Sequence, residues 1–343
     1  MKKYLSVYQE IKLKILSGEY KSGEKLPSKR ITADKTGTSV ITVEKAYSML
    51  CEEGYIIPKE RSGYFVAELD LPFNVKLPQK EIARLDENID LAEKGDFEYS
   101  LWFKTVRKVI SERGHQLFVK SPNKGCAVLR NAISDYLLRY RGMRAEPERI
   151  IIGSGSEQLY ETVVKILGRD KIFGIENPSY EQIEAVYLSE TVEIIKLEMG
   201  KDGIKKLDEK VDVLHVTPFK SYPSGVTTSA LKRYEYLKWA GDTKYIVEDD
   251  FNSEFFIPGQ PIESLYSMDR KDRVVYINTF SKSLSSSMRM GYMILPPQLM
   301  EKYNETVGKF SCSVPVLDQY ILAEFISSGN FERHLNKVRR KLH

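Results

Sequence analysis

Residues Arg149–Leu167, RIIIGSGSEQLYETVVKIL, constrain the fold more than any other stretch of the 343-residue chain. RIIIG is a short, β-branched apolar run and reads as a buried strand. SGSEQLYETVVKIL then opens a helix. Amides at such a helix N-terminus point toward an anion, and the glycines let the backbone approach it closely. Lys171–Ile175, Val211–Val216, Tyr245–Val247 and Val274–Asn278 read as further apolar strands, with helical stripes over Leu101–Glu112 and Leu129–Arg139. Strands alternating with helices predict an α/β, doubly wound sheet with right-handed crossovers, and a ligand at the strands' C-terminal ends.

Two of those strands run into polar chemistry. VEDDFNSEF places Asp249 just after an apolar run, and VVYINTFSKSLSSSMRMGY places Lys282 after another, with Arg289 seven residues on. Thr279, Ser281, Ser283 and Ser285–Ser287 supply hydroxyls between them. A solitary lysine is usually a solvated surface group. A lysine closing a buried strand, a planar guanidinium suited to a phosphate dianion and a strand-end carboxylate form a different set. Pyridoxal 5'-phosphate (PLP) demands those three groups: Lys282 as the catalytic Schiff-base lysine, Arg289 for the phosphate, Asp249 for the pyridine nitrogen.

The first 67 residues follow another pattern. Tyr8, Ile11 and Ile15 share a helical face that stops near Gly18. A second helix starts at LPSKR with Ser28 as N-cap and stops at Gly37. The third starts after Ser39, buries Val43, Ala46, Tyr47 and Leu50, and ends at Gly54. Val40, Ile41, Thr42, Glu44 and Lys45 are left on or near its outer face. Two short strands, Tyr55–Pro58 and Tyr64–Val66, flank a KERSG turn. Three helices and a hairpin are a winged helix-turn-helix, whose third helix enters a major groove while the wing meets phosphates. The residues able to contact DNA are Lys29, Arg30, Ser39, Thr42, Lys45 and, on the wing, Arg61 and Gly63. A three-helix protein-interaction domain is the competing reading. Residues 1–67 hold 12 Lys/Arg against 8 Asp/Glu, which accounts for the chain's whole net charge of +4 and fits a nucleic-acid partner.

The sequence has no run of about 18 apolar residues, so no membrane-spanning helix is expected. Its N-terminus lacks an apolar signal core. Three scattered cysteines suggest a reducing cytoplasm without a disulfide framework, and the four histidines show no metal spacing. Residues 68–100, charged and with two prolines, read as a linker, with a short helix possible at Gln79–Leu85.

These motifs carry a resemblance. GEKLPSKR, TVEKAY, EEGYI and RSGYFV resemble the GntR family. TFSKSLSSSMRMGY resembles the Schiff-base segment of the aspartate-aminotransferase fold, and EDDFNSEF resembles the EDDYDSEF segment of MocR/GabR-type regulators. LRNAISDYLLRYRG, SGSEQLY, ENPSY and TPFKSYPSG follow in the same family's order. The resemblance implies a GntR-like winged helix (1–67), a linker (68–100) and an aminotransferase-like PLP-binding domain (101–343) truncated at its C-terminal end. It assigns phosphate contacts to Gly155 and Ser156, ring stacking to Tyr180, and places Thr279 and Ser281 in the cofactor site. It further implies a homodimer binding a double-stranded DNA operator and sensing an amine, amino acid or vitamer. A working aminotransferase, and a degenerate fusion binding DNA without PLP, are the alternatives.

The chain departs from the family's pattern at several positions. Val40 stands where Arg is usual after the turn serine, costing about 1–3 kcal/mol if a contact is lost. KSPNKG replaces an aromatic-Gly turn, and Lys220–Ser221 replaces His-Gln. Glu157 replaces Gln, a carboxylate that a nearby phosphate disfavours unless it turns away. Phe251 replaces a Tyr that would reach the cofactor's phenolic oxygen, which weakens catalysis more than binding. Asn278 and Ser286 replace Gly and Pro. Phe331, Leu335, Val338 and Leu342 form a terminal apolar stripe where the family continues into a smaller domain, so the stripe is expected to lack its partner.

Overall fold

The computed structural model describes residues 3–60, 62–67, 97–255 and 263–342. The possible helix at Gln79–Leu85 and the wing residue Arg61 lie outside them. The chain divides into an N-terminal and a larger C-terminal compact unit.

The N-terminal unit contains α1 (Lys3–Leu16), α2 (Lys29–Thr36), α3 (Val40–Glu52), β1 (Ile56–Lys59) and β2 (Gly63–Val66). Capping chemistry sets the helix boundaries. Ser28 Oγ accepts from the Ile31 amide at 3.4 Å, and Ser39 Oγ from that of Thr42 at 3.2 Å. Gly37 closes α2 in the left-handed region at φ 62°. Val43, Ala46, Tyr47 and Leu50 are fully buried against Val7, Ile11, Ile15 and Leu26. The Tyr47 hydroxyl donates to Pro27 O at 2.8 Å, so this buried phenol is satisfied. The hairpin is antiparallel, with Ile56 opposite Val66 and Lys59 opposite Gly63.

The larger unit begins with α4 (Tyr99–Arg113) and α5 (Ala127–Tyr136), which a π turn, Leu137–Arg141, extends. Then come β3 (Ile150–Gly153), α6 (Ser156–Leu167), β4 (Ile172–Asn177), α7 (Glu181–Ser189), β5 (Glu193–Glu198), β6 (Val213–Val216), α8 (Ala230–Ala240), β7 (Tyr245–Asp249), α9 (Leu265–Met268), β8 (Val274–Thr279), β9 (Gly291–Ile294), α10 (Pro297–Glu305), α11 (Val316–Ser327) and α12 (Asn330–Leu342). The strands form one seven-stranded sheet in the order β3-β9-β8-β7-β6-β4-β5.

Alternating residues fill both sides of this sheet. Ile150, Ile152, Tyr276, Tyr292 and Ile294 pack on one face with Leu129, Ile133, Leu322 and Phe325. Ile151, Val275, Ile277 and Met293 pack on the other with Leu159, Val163 and Leu299. A strand covered on both sides favours apolar residues at successive positions, which explains the apolar runs in the sequence.

The predicted α/β architecture is found, with two strands added and one direction changed. β5 carries Glu193, Lys196 and Glu198 at exposed positions, as an edge strand does. β9 is only four residues long and runs antiparallel to both β3 and β8, so the sheet is mixed. The terminal stripe is also corrected. Phe331 and Leu335 of α12 are buried in the same core as Tyr136 and Phe280, so half of that stripe is used within this unit. No described helix is long and apolar enough to cross a membrane.

Candidate functional site

β7 and β8 are parallel neighbours, with Asp249 opposite Ile277, so both deliver their following loops to the same end of the sheet. Antiparallel β9 starts where β3 and β8 finish: Gly291 pairs with both Gly153 and Thr279. Lys282, Arg289 and the Gly-Ser turn after β3 therefore gather at one end.

Asp249 is buried. Its Oδ2 accepts from the Tyr160 hydroxyl and lies 3.9 Å from His215 Nε2, while Oδ1 has no partner among the described residues. Burial drives the Tyr160 hydroxyl well above its ordinary pKa, and the Asp249 charge adds to the shift, so this phenol stays a donor. His215 Nδ1 meets the Tyr187 hydroxyl at 2.6 Å. One carboxylate oxygen is thus held by Tyr160, while the other has no donor among the described residues.

Lys282 is exposed as a residue, but its amine lies 5.0 and 5.7 Å from the ring centres of Phe251 and Phe255 and donates to Asn252 Oδ1. Partial burial lowers its pKa, and the Lys220 charge lowers it further. Both effects favour the neutral, nucleophilic amine. Asn252 Nδ2 donates to Lys220 O at 3.2 Å, tying the Lys220 turn to the loop after Asp249. Glu176, at the end of β4, stands behind that turn. It accepts from the Ser221 hydroxyl and from the Thr217 amide at 3.2 Å, and burial pushes its pKa up to about 8.

At the third corner, Gly155 N-caps α6 with φ 93°, a conformation L side chains resist. A Cβ there would lie 3.1 Å from Arg289 Nη2, so the guanidinium covers the glycine's face. Arg289 Nη2 donates to Glu157 Oε2 at 2.6 Å. Glu157 has not turned away from this corner. Tyr180 is 38% exposed and meets Tyr222 edge-to-face at 6.2 Å. Burial raises its pKa, with Glu157 and Asp249 raising it further and Arg289 opposing them, so its hydroxyl feels all three groups. Ser156 is half-buried and hydrogen-bonds with Tyr160; Thr279 is buried and Ser281 half-buried on the approach to Lys282.

Sequence reasoning missed Asn252, Tyr160 and His215. Asn252 sits in the quoted DFNSEF segment, and Tyr160 falls one helical turn after Ser156, so both could have been inferred from spacing. Nothing local marks His215, which belongs to an apolar strand.

In the N-terminal unit, Val40 and Ile41 are exposed at the start of α3, Ile41 to 77%. Ser39 and Thr42 hydroxyls hydrogen-bond each other at 2.8 Å. Lys29 pairs with Glu44 at 2.5 Å, and Lys45 lies 4.5 Å from the Tyr4 ring centre. Arg30 is exposed, and Gly63 opens β2 at φ 109°.

A helix-turn-helix with a wing, joined in one chain to an aminotransferase-type mixed sheet, defines a transcription regulator whose second part has an enzyme's fold. Residues 3–66 match bacterial regulatory proteins of the gntR family, and residues 84–343 match aminotransferase class I and II. The chain is 33% identical to the uncharacterized HTH-type transcriptional regulator YdeL of Bacillus subtilis (strain 168), over 98% of this chain and 76% of that protein. It is 28% identical to the probable rhizopine catabolism regulatory protein MocR of Rhizobium meliloti, over 97% and 73%. An archaeal alanine:glyoxylate aminotransferase superposes with a TM-score of 0.63 at 24% identity, over 69% of this chain and 62% of the enzyme, which shows the fold alone. The chain belongs to the HTH-type transcriptional regulators that join a gntR-family DNA-binding domain to an aminotransferase class I and II domain. GntR-type regulators bind DNA, and the aminotransferase fold implies PLP dependence.

Proposed function

We infer that the larger unit holds PLP and uses it to sense an amine, amino acid or vitamer, whose binding changes how a dimer of cytoplasmic chains engages an operator. The observation that carries this is Asp249: a buried carboxylate with one oxygen taken by Tyr160 and the other without a partner among the described residues, at the same end of the sheet as Lys282. An unpaired oxygen there is costly unless a donor completes it. A protonated pyridine nitrogen is such a donor, so the residues fit the cofactor.

PLP, when bound, supplies an aldehyde for amines and a ring that accepts electrons. The chain's own residues do the rest. Lys282 would supply the amine for the aldehyde, and its lowered pKa favours the uncharged form that does so. Asn252 accepts from that amine and fixes its direction. Asp249 keeps a proton on the ring nitrogen, and Tyr160 keeps Asp249 in place. Arg289, Gly155, Ser156 and the α6 N-terminus bind the phosphate; Tyr180, Thr279 and Ser281 complete the pocket. Phe251 offers no hydroxyl to the cofactor's phenolic oxygen, which favours sensing over turnover. On the DNA side, α3 enters the major groove with Ser39, Thr42 and Lys45, while Lys29, Arg30, Gly63 and Arg61 meet phosphates.

The test is a PLP titration of the full chain. A visible absorption band that borohydride bleaches, and that Lys282→Ala abolishes, is the expected result. A band that survives Lys282→Ala refutes the assignment.

A further inference from the structure

We propose that Glu157 is a built-in competitor for the phosphate end of the cofactor site, so that the site holds PLP less tightly than the same pocket without that carboxylate would. The proposal rests on reading Arg289 as the phosphate-binding residue and goes beyond it. Arg289 presents its guanidinium over Gly155, and the same Nη2 is engaged by Glu157 Oε2 at 2.6 Å. Glu157 lies in the first turn of α6, where a negative charge also satisfies the helix N-terminus. This carboxylate therefore engages the guanidinium that a phosphate would use, at the helix end where a phosphate would sit.

Charge decides the consequence. The Glu157 and Arg289 side chains are 43% and 56% exposed, so their pair is weak and a dianion can displace it. The displaced carboxylate stays on the same helix turn, within reach of the phosphate, and repels both of its charges. Lys220 is a further cation near Lys282, but its turn is tied to the loop after Asp249 and not to this corner. A glutamine at 157 would keep the size and hydrogen-bonding oxygen and remove the repulsion. The outcome is a site whose occupancy follows the supply of phosphorylated cofactor, as suits a sensor better than a permanently loaded enzyme.

The experiment titrates the full chain, Glu157→Gln and Glu157→Ala with PLP and, separately, with pyridoxal, following the Lys282-dependent visible band. PLP should bind about tenfold more tightly to both variants, pyridoxal should bind all three proteins alike, and the gain should shrink at high salt. PLP affinity that is unchanged or weaker, or a gain shared equally by pyridoxal, overturns the proposal. A wild-type protein and variants that all lack a Lys282-dependent band, even with excess PLP, overturn the site reading itself and this inference with it.

Discussion

Glu176 gives a quantitative handle on the loop that faces Lys282. It is buried, hydrogen-bonded to Ser221 and Thr217, and its pKa is pushed up to about 8 by burial. The unfolded chain ionises a glutamate near its ordinary value, about 4.3. Between these values the unfolded state loses its proton while the folded state keeps it. Stability from this group is therefore full below the unfolded pKa, falls as pH rises, and levels off above the folded one. At about 1.4 kcal/mol per pH unit, the loss between pH 5 and pH 8 is roughly 3 kcal/mol. Glu176→Gln preserves an acceptor for the Thr217 amide and removes the titration. The difference in unfolding free energy, mutant minus wild type, should thus rise by roughly 3 kcal/mol from pH 5 to pH 8. Trp102 and Trp239, the chain's two tryptophans, both lie in the larger unit, so urea unfolding followed by tryptophan fluorescence reads this unit selectively. Using the difference cancels the similar contributions of Glu248 and Glu254, whose pKa values burial raises to about 8 and about 7. Wild-type and mutant curves that run parallel across this range would refute the reasoning.

Other expected outcomes follow from the same geometry. Lys220→Met removes a positive charge that lowers the Lys282 pKa, so the pH at which PLP uptake reaches half its maximum should move upward; a downward move would contradict the electrostatic assignment. Tyr160→Phe removes the donor from buried Asp249 and should cost about 1–3 kcal/mol of stability by denaturant unfolding, with weaker PLP binding. Val40→Arg adds a cation at the exposed start of α3, and should steepen the salt dependence of duplex binding by about one unit in the log–log slope while leaving the larger unit's unfolding unchanged. Leu50→Ala opens a cavity in the N-terminal core and should cost about 2–5 kcal/mol there, read as loss of DNA binding on mild heating.

Much of the fold was legible because its signals are local. Ser28, Gly37 and Ser39 mark helix ends through their own caps, and Val43, Ala46, Tyr47 and Leu50 mark a face by spacing alone. β3 and the first residues of β7 and β8 are apolar because both sheet faces are covered. β5 was missed because an edge strand alternates charge with half-buried isoleucine, and β9 because four residues carry little pattern. The candidate site divides the same way. Lys282, Asp249 and Arg289 stand out through their place at strand ends. Their partners do not: Asp249 meets Tyr160 and His215, and Arg289 meets Glu157, across separations of 89, 34 and 132 residues that only the folded sheet closes.

The reversed direction of β9 has a consequence for how this corner of the protein can change. Length added between Lys282 and Arg289 leaves the pairing of β9 as it is, although it disturbs the core contacts of Leu284 and Met288. One residue added within Gly291–Ile294 would exchange Tyr292 for Met293 between the two sides of the sheet and draw the guanidinium off Gly155 by about 3.3 Å. An insertion inside this short ribbon should therefore cost the sheet its register as well as the placement of Arg289.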